Sequence, residues 1–189
     1  FYLLYDEYSR AKFDCGRIEG VKPVDVLKKL IEFPTFQISP DKVAEGMRDC
    51  ARFLSDQLEA LGFRVRVDEL FSVTGERAFD GEKVFLMNSH FDTVSPSSEW
   101  VDALKPKLKG KELVGLGVSD AKGGIAAALC ALSGVDDSRF GRLIVQFMNY
   151  EDNGIEFQGK RQLGMPYYLE KNRGFHADYG INIEPTVRD

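Results

Sequence analysis

The 189-residue chain is 43% hydrophobic, 29% charged and 12% aromatic, which excludes disorder, collagen-like repeats and coiled coil and suits one globular domain with a substantial core. Lys and Arg total 25 against 30 for Asp and Glu, a formal charge of -5, so no basic surface dominates and a nucleic-acid or anionic-membrane partner is disfavoured. Cys15, Cys50 and Cys130 are widely spaced with no C-x-x-C pair; they read as reduced, mostly buried thiols in a reducing, cytoplasmic setting.

Apolar Phe1 to Tyr5 is broken by Asp6, Glu7, Arg10 and Lys12, which predicts no signal-peptide core, and no apolar run of about 18 residues is present to span a membrane. Beyond Pro23, the apolar residues Val24, Val26, Leu27, Leu30 and Ile31 predict a short amphipathic helix closed by Phe33-Pro34. From Asp41 to Leu61 the apolar positions follow helical spacing, with Asp41 as expected N-cap and Gly62 as expected C-cap. Phe63, Val65 and Val67 alternate with charged residues and predict a strand with one wet face.

Val84 to Met87 is a continuous apolar run of the central-strand kind, ending in Asn88-Ser89-His90. Leu108 to Val114 predicts a hairpin turning at Gly110. Asp120 is placed to cap a helix through Ile125 to Leu129, and Leu143 to Met148 is a second buried strand, running into Asn149 to Asp152. Gln162 to Glu170 predicts a helix interrupted early by Pro166, and Tyr179 to Ile183 a last strand before Glu184-Pro185.

Alternating strands and helices predict an α/β fold with a largely parallel mixed sheet flanked by helices. In such sheets ligands bind beyond the carboxyl ends of the strands, and three of those ends carry His90 with Asp92, Glu151 with Asp152, and Glu184.

One imidazole among several carboxylates is a ligand set that suits a hydrolytic zinc or related divalent-metal site. On an extended chain His90 and Asp92 point to the same side, so Asp92 is placed to hold the far nitrogen of His90. Of the adjacent acids Glu151 and Asp152, one can ligate a metal while the other remains a general base. The plain alternatives stand beside these roles: a solvated acidic loop for Glu151-Asp152, a strand-end surface acid for Glu184, and an N-cap for Asp120.

Four segments in order, Ser89-His90-Phe91-Asp92-Thr93-Val94-Ser95-Pro96, Gly115 to Gly124, Tyr150-Glu151-Asp152 and Ile183-Glu184-Pro185-Thr186, together with the helix Val26 to Thr35 and its Pro34-Thr35 ending, resemble the M20 metallopeptidases and deacylases. This is the group of acetylornithine deacetylase, succinyl-diaminopimelate desuccinylase, aminoacylase-1 and glutamate carboxypeptidase. The resemblance implies a zinc-peptidase-like catalytic domain that hydrolyses the amide bond of an N-acyl amino acid or small peptide with two divalent ions, zinc first, cobalt or manganese as alternatives. It makes His90 and Glu184 terminal ligands of one ion, Asp120 the bridging carboxylate and Asp152 a terminal ligand of the other. Glu151 becomes the general base and Asp92 the residue that orients His90, and a cis peptide is expected at Asp120-Ala121.

Three departures qualify the resemblance. Asp152 stands where the family has Glu, and Leu116 replaces a common Arg. The family's lid or dimerisation domain, and a later histidine ligand for the second ion, lie beyond the Glu-Pro-Thr motif. Residues 1–189 are therefore expected to form a catalytic domain incomplete at its C-terminus, its second metal site lacking a histidine. That expectation leaves a homo-oligomer or a missing C-terminal half as partner and weak or no activity for the chain alone, while His176 reads as a surface or loop-packing residue. The competing class is a non-catalytic α/β binding module. A nucleotide-binding enzyme is disfavoured, because Gly115-Leu116-Gly117 and Lys122-Gly123-Gly124 complete neither phosphate-binding fingerprint.

Overall fold

The computed structural model describes residues 22–36, 40–110, 112–135, 140–152 and 154–185. Helix α1 (Pro23–Glu32) starts on a proline, whose fixed φ and missing N–H suit the first turn, and buries Val26, Leu27, Leu30 and Ile31. Helix α2 (Pro40–Ala60) begins one residue before Asp41, which places Asp41 in the first turn and not at the N-cap. Its end is as expected. Gly62 takes φ +80°, and the N–H groups of Gly62 and Phe63 reach back to the carbonyls of Glu59 and Leu58 at 2.9 and 3.0 Å, closing the helix with a left-handed turn that glycine adopts without strain.

Strands β1 (Arg64–Val67), β2 (Val73–Ala78), β3 (Lys83–His90), β6 (Phe140–Met148) and β9 (Tyr179–Asn182) form a five-stranded mixed sheet in the order β1-β2-β6-β3-β9. The β6-β3-β9 pairings are parallel, whereas β1-β2 and β2-β6 are antiparallel. The hairpin predicted around Gly110 is present as β4 (Lys107–Lys109) and β5 (Glu112–Val114). A further hairpin, β7 (Ile155–Phe157) with β8 (Lys160–Gln162), precedes helix α4 (Gly164–Lys171). Pro166 falls in the first turn of α4, where its missing donor costs nothing, so it does not interrupt the helix.

Strand β2 has no clear apolar alternation, and two features explain why it is nevertheless a strand. A Cβ on Gly75 would come within 3.0 Å of Leu58 Cδ1 and 3.3 Å of Phe63, so a bare backbone lets α2 approach the sheet. Arg77 donates to Leu61 O at 3.2 Å and Val135 O at 2.6 Å and lies over Phe79, 4.6 Å from the ring centroid. Its charge thereby satisfies carbonyls just past the ends of two helices.

Helix α3 (Gly123–Ser133) buries Ile125, Ala126, Leu129 and Leu132. They join Leu30, Ile31, Met47, Leu54, Leu58, Leu143, Val145 and Phe147 in one core. Edge strand β9 is exposed along its length, with Tyr179 and Ile181 in solvent. No helix among the described residues is long and apolar enough to cross a membrane. The cysteine expectation holds at Cys50, a buried free thiol, and fails at Cys130, which is disulfide-bonded; that bond removes the all-thiol argument for a reducing compartment. Cys15 lies outside the described residues.

Candidate metal centre

Because β3, β6 and β9 are parallel, their carboxyl ends share one edge of the sheet. Register aligns His90 with Met148 and Asn88 with Asn182. Phe91 N–H donates to Met148 O at 3.0 Å, Ile183 N–H to Asn88 O at 2.8 Å and Ser89 Oγ to Ile183 O at 3.0 Å. These bonds carry the ladder past the last paired residues, so that His90, Glu151 and Glu184 line one pocket.

Asp120 arrives on the loop before α3. The sequence reading made it an N-cap, but Lys122 is the residue at the helix start, and Asp120 has the extended dihedrals φ -131° and ψ 97°. Freed from capping, its carboxylate meets His90. The peptide to Ala121 is cis, as the resemblance implied.

His90 is 1% exposed. Its Nε2 lies 2.9 Å from Asp120 Oδ1 and 3.4 Å from Glu184 Oε2. Its Nδ1 lies 3.1 Å from Asp92 O and 3.3 Å from Asp92 Oδ1. Burial opposes a charged imidazole, but the Asp92 hydrogen bond and the charges of Asp92, Glu184 and Asp120 outweigh it and raise the His90 pKa to about 10. Both ring nitrogens then donate. With the Nδ1 proton held by Asp92, Nε2 is the nitrogen that can exchange its proton for a cation.

The donor atoms of His90, Asp120 and Glu184 all lie within 4.8 Å of one another. Ligands about 2.1 Å from a tetrahedral ion sit about 3.4 Å apart; Glu184 Oε2 stands at that separation from Nε2, while Asp120 Oδ1, at 2.9 Å, is at hydrogen-bond distance. His90, Asp92 and Asp152 form a second close group. Asp92 is a poor ligand there, because its Oδ1 accepts Glu151 N–H and its Oδ2 accepts Asp152 N–H, each at 3.1 Å, and the side chain is buried. Burial pushes Asp152 up to about 6; His90 opposes this, while Asp92, Asp120 and Glu151 add to it. Glu184 is also raised, first by burial and then by Glu151, Asp120 and Asp152, against the opposing effect of His90. Carboxylates crowded in this way bind a cation with relief of repulsion.

The turn carrying Glu151 and Asp152 is fixed from below by residues not singled out in the sequence. Asn149 N–H donates to Ser72 Oγ at 3.1 Å, and Asn149 Nδ2 to Leu70 O at 2.8 Å. Tyr150 adopts φ +59°, a strained conformation held by these bonds and by burial of its ring. Lys122, read in the sequence only against a phosphate loop, is fully buried and donates to Phe33 O at 3.2 Å. Burial lowers its pKa to about 8, with Cys50 and Asp92 opposing. His176 is exposed and pairs at 3.9 Å with Asp178, whose carboxylate accepts Val84 N–H at the opposite end of β3; it is remote from the site.

The family model for peptidase family M20/M25/M40 matches residues 86–189. A succinyl-diaminopimelate desuccinylase from Wolinella succinogenes is 30% identical over 169 residues, covering 88% of this chain. The chain belongs to the M20 family. It spans 43% of that relative's length, and 41% of a desuccinylase from Wolbachia pipientis to which it is 27% identical. Human carnosine dipeptidase 1 superposes with a TM-score of 0.69 at 18% identity, over 86% of this chain and 38% of its own. An M20 metallo-carboxypeptidase from Sulfolobus solfataricus gives 0.69 at 21%, over 86% and 37%. The fold is thus that of part of an M20 catalytic domain.

Proposed function

We propose that the protein hydrolyses the amide bond of a small N-acyl amino acid or peptide, with His90, Asp120 and Glu184 holding a divalent ion and Glu151 acting as general base. The observation that carries this reading is His90: a buried imidazole with Nδ1 fixed by Asp92 and Nε2 facing two carboxylates. Asp120 and Asp152 are the acids available to a second ion, together with a ligand from the rest of the protein. Imidazole with carboxylate favours zinc, and cobalt or manganese suits the same donors.

When bound, such ions supply Lewis acidity and lower the pKa of a coordinated water. The chain's own residues do the rest. Asp92 keeps His90 in one tautomer and, through the N–H groups of Glu151 and Asp152, ties the position of the acid pair to that histidine. Glu151 is exposed and lines the pocket beside His90 and Glu184, where its carboxylate takes a proton from the attacking water and returns it to the departing amine.

The test is metal content and hydrolysis in the full-length protein beside its His90→Ala variant. Loss of both in the variant is the expected result. A protein that holds its metal through His90 yet cleaves no N-acyl amino acid or dipeptide is instead a binding module.

A further inference from the structure

Lys122 is the one buried lysine or arginine among the described residues, and the chemistry above makes no use of it. An ammonium is costly to bury unless it is hydrogen-bonded, and this one donates to Phe33 O, just past the end of α1, at 3.2 Å. The Lys122 backbone N–H donates to Gly117 O at 2.9 Å. Between these two bonds the side-chain stem lies against the Gly117 turn, where a Cβ would come within 2.9 Å of Lys122 Cδ and 2.8 Å of Thr93 Cγ2.

The segments joined in this way are the ones that carry the candidate ligands. Asp120 stands two residues before Lys122. Thr93 follows Asp92, and its N–H donates to Thr35 O at 2.9 Å, so the chain just past α1 is bonded both to the His90-Asp92 segment and to the Asp120 loop. A Cβ on Gly124 would come within 2.4 Å of Ile183 Cγ2, which sets the first turn of α3 against the residue before Glu184. A shift in the start of α3 would therefore move Asp120 and Glu184 together relative to His90.

We propose that Lys122 is a positioning residue of the metal centre: by tying the start of α3 to Phe33 O, it keeps the Asp120 and Glu184 carboxylates facing His90 Nε2. The proposal rests on the metal-centre reading above. Charge and position predict opposite signs for its removal. The ammonium interacts with the Asp92 charge, and a positive group this close repels a bound cation, so its loss by electrostatics alone tightens metal binding. Loss of a positioning group weakens it.

The test uses the full-length protein, with zinc affinity read by competition with a chromophoric chelator and ligand geometry by the visible spectrum of the cobalt-substituted form. Lys122→Met keeps the apolar stem; it is expected to bind zinc about 10- to 100-fold more weakly and to shift the cobalt bands. Leu132→Ala, a buried truncation near the end of α3, is the control for lost stability: its melting temperature is expected to fall while affinity and spectrum stay as in the wild type. If Lys122→Met does not fold, Gly117→Ala, whose methyl would press on the Lys122 stem and Thr93, is read in its place with the same expectation. Zinc affinity equal to or tighter than wild type, or an equal loss in Leu132→Ala, overturns the positioning role and leaves the hydrolase reading standing. Weakened zinc binding in the variant of a protein that cleaves no N-acyl amino acid or dipeptide keeps the positioning role and overturns the hydrolase reading.

Discussion

Asp92 Oδ1 stands 3.3 Å from His90 Nδ1 and also accepts Glu151 N–H at 3.1 Å. One buried carboxylate therefore sets both the histidine's tautomer and the position of the turn that carries Glu151. Asp92→Asn keeps the volume but puts amide hydrogens or a neutral oxygen where two N–H groups and an imidazole seek a negative acceptor. Zinc affinity is expected to fall about 10- to 100-fold, together with kcat, as read by competition with a chromophoric chelator. Unchanged affinity would show that Asp92 is only a core residue.

Lys122 ties the site to the end of α1 through Phe33 O. Lys122→Met keeps the apolar stem and removes the ammonium, leaving that carbonyl without this donor and Asp92 without a nearby cation. A loss of about 1–3 kcal/mol is expected from urea melts. A more stable variant would mean that desolvation of the ammonium outweighs its contacts.

Cys50 gives a pH dependence whose sign is fixed. Burial pushes its thiol up to about 12, against 9.0 for an ordinary cysteine, with Lys122 opposing. The unfolded chain then loses this proton first, so the thiol's contribution to stability is complete below pH 9 and declines as pH rises from 9 toward 12. Relative to Cys50→Ala, the wild type is expected to lose stability over that window in paired urea melts. In the native protein at pH 8, Cys50 should react with a thiol reagent no faster than the protein opens; immediate reaction contradicts its burial.

Gly164→Ala places a methyl against Asn149 O, a backbone atom that cannot turn aside. Destabilisation of about 1–3 kcal/mol is expected, with a fall in kcat/KM because the same backbone leads to Glu151. A variant with wild-type melting temperature and kinetics would mean that the start of α4 stands clear of Asn149 O.

The residues of the candidate centre were legible because they follow apolar strands: once Val84 to Met87 and Leu143 to Met148 are read as parallel neighbours, His90 and Glu151 fall at one edge. Glu184 follows from the same register. What the sequence hid depends on tertiary partners. Strand β2 looks polar because Gly75 is spared a side chain for Leu58 and Arg77 serves carbonyls from distant helices. Lys122 reads in the sequence only against a phosphate loop, because its burial and its bond to Phe33 O arise from the tertiary fold. Asp120 suited an N-cap by spacing, yet its extended backbone turns the carboxylate to His90. Tyr150, in the motif, and Asn149, just before it, carry no chemical signal, since their work is to hold a strained turn.

The central claim is that Glu151 moves the proton at a metal centre built on His90, Asp120 and Glu184. The most direct measurement is metal content and kcat for Glu151→Gln in the full-length protein on its best N-acyl amino acid or dipeptide substrate. Full metal occupancy with kcat reduced by about 10²- to 10⁴-fold is the result expected for loss of a general base; full occupancy with kcat within a few-fold of wild type would contradict it.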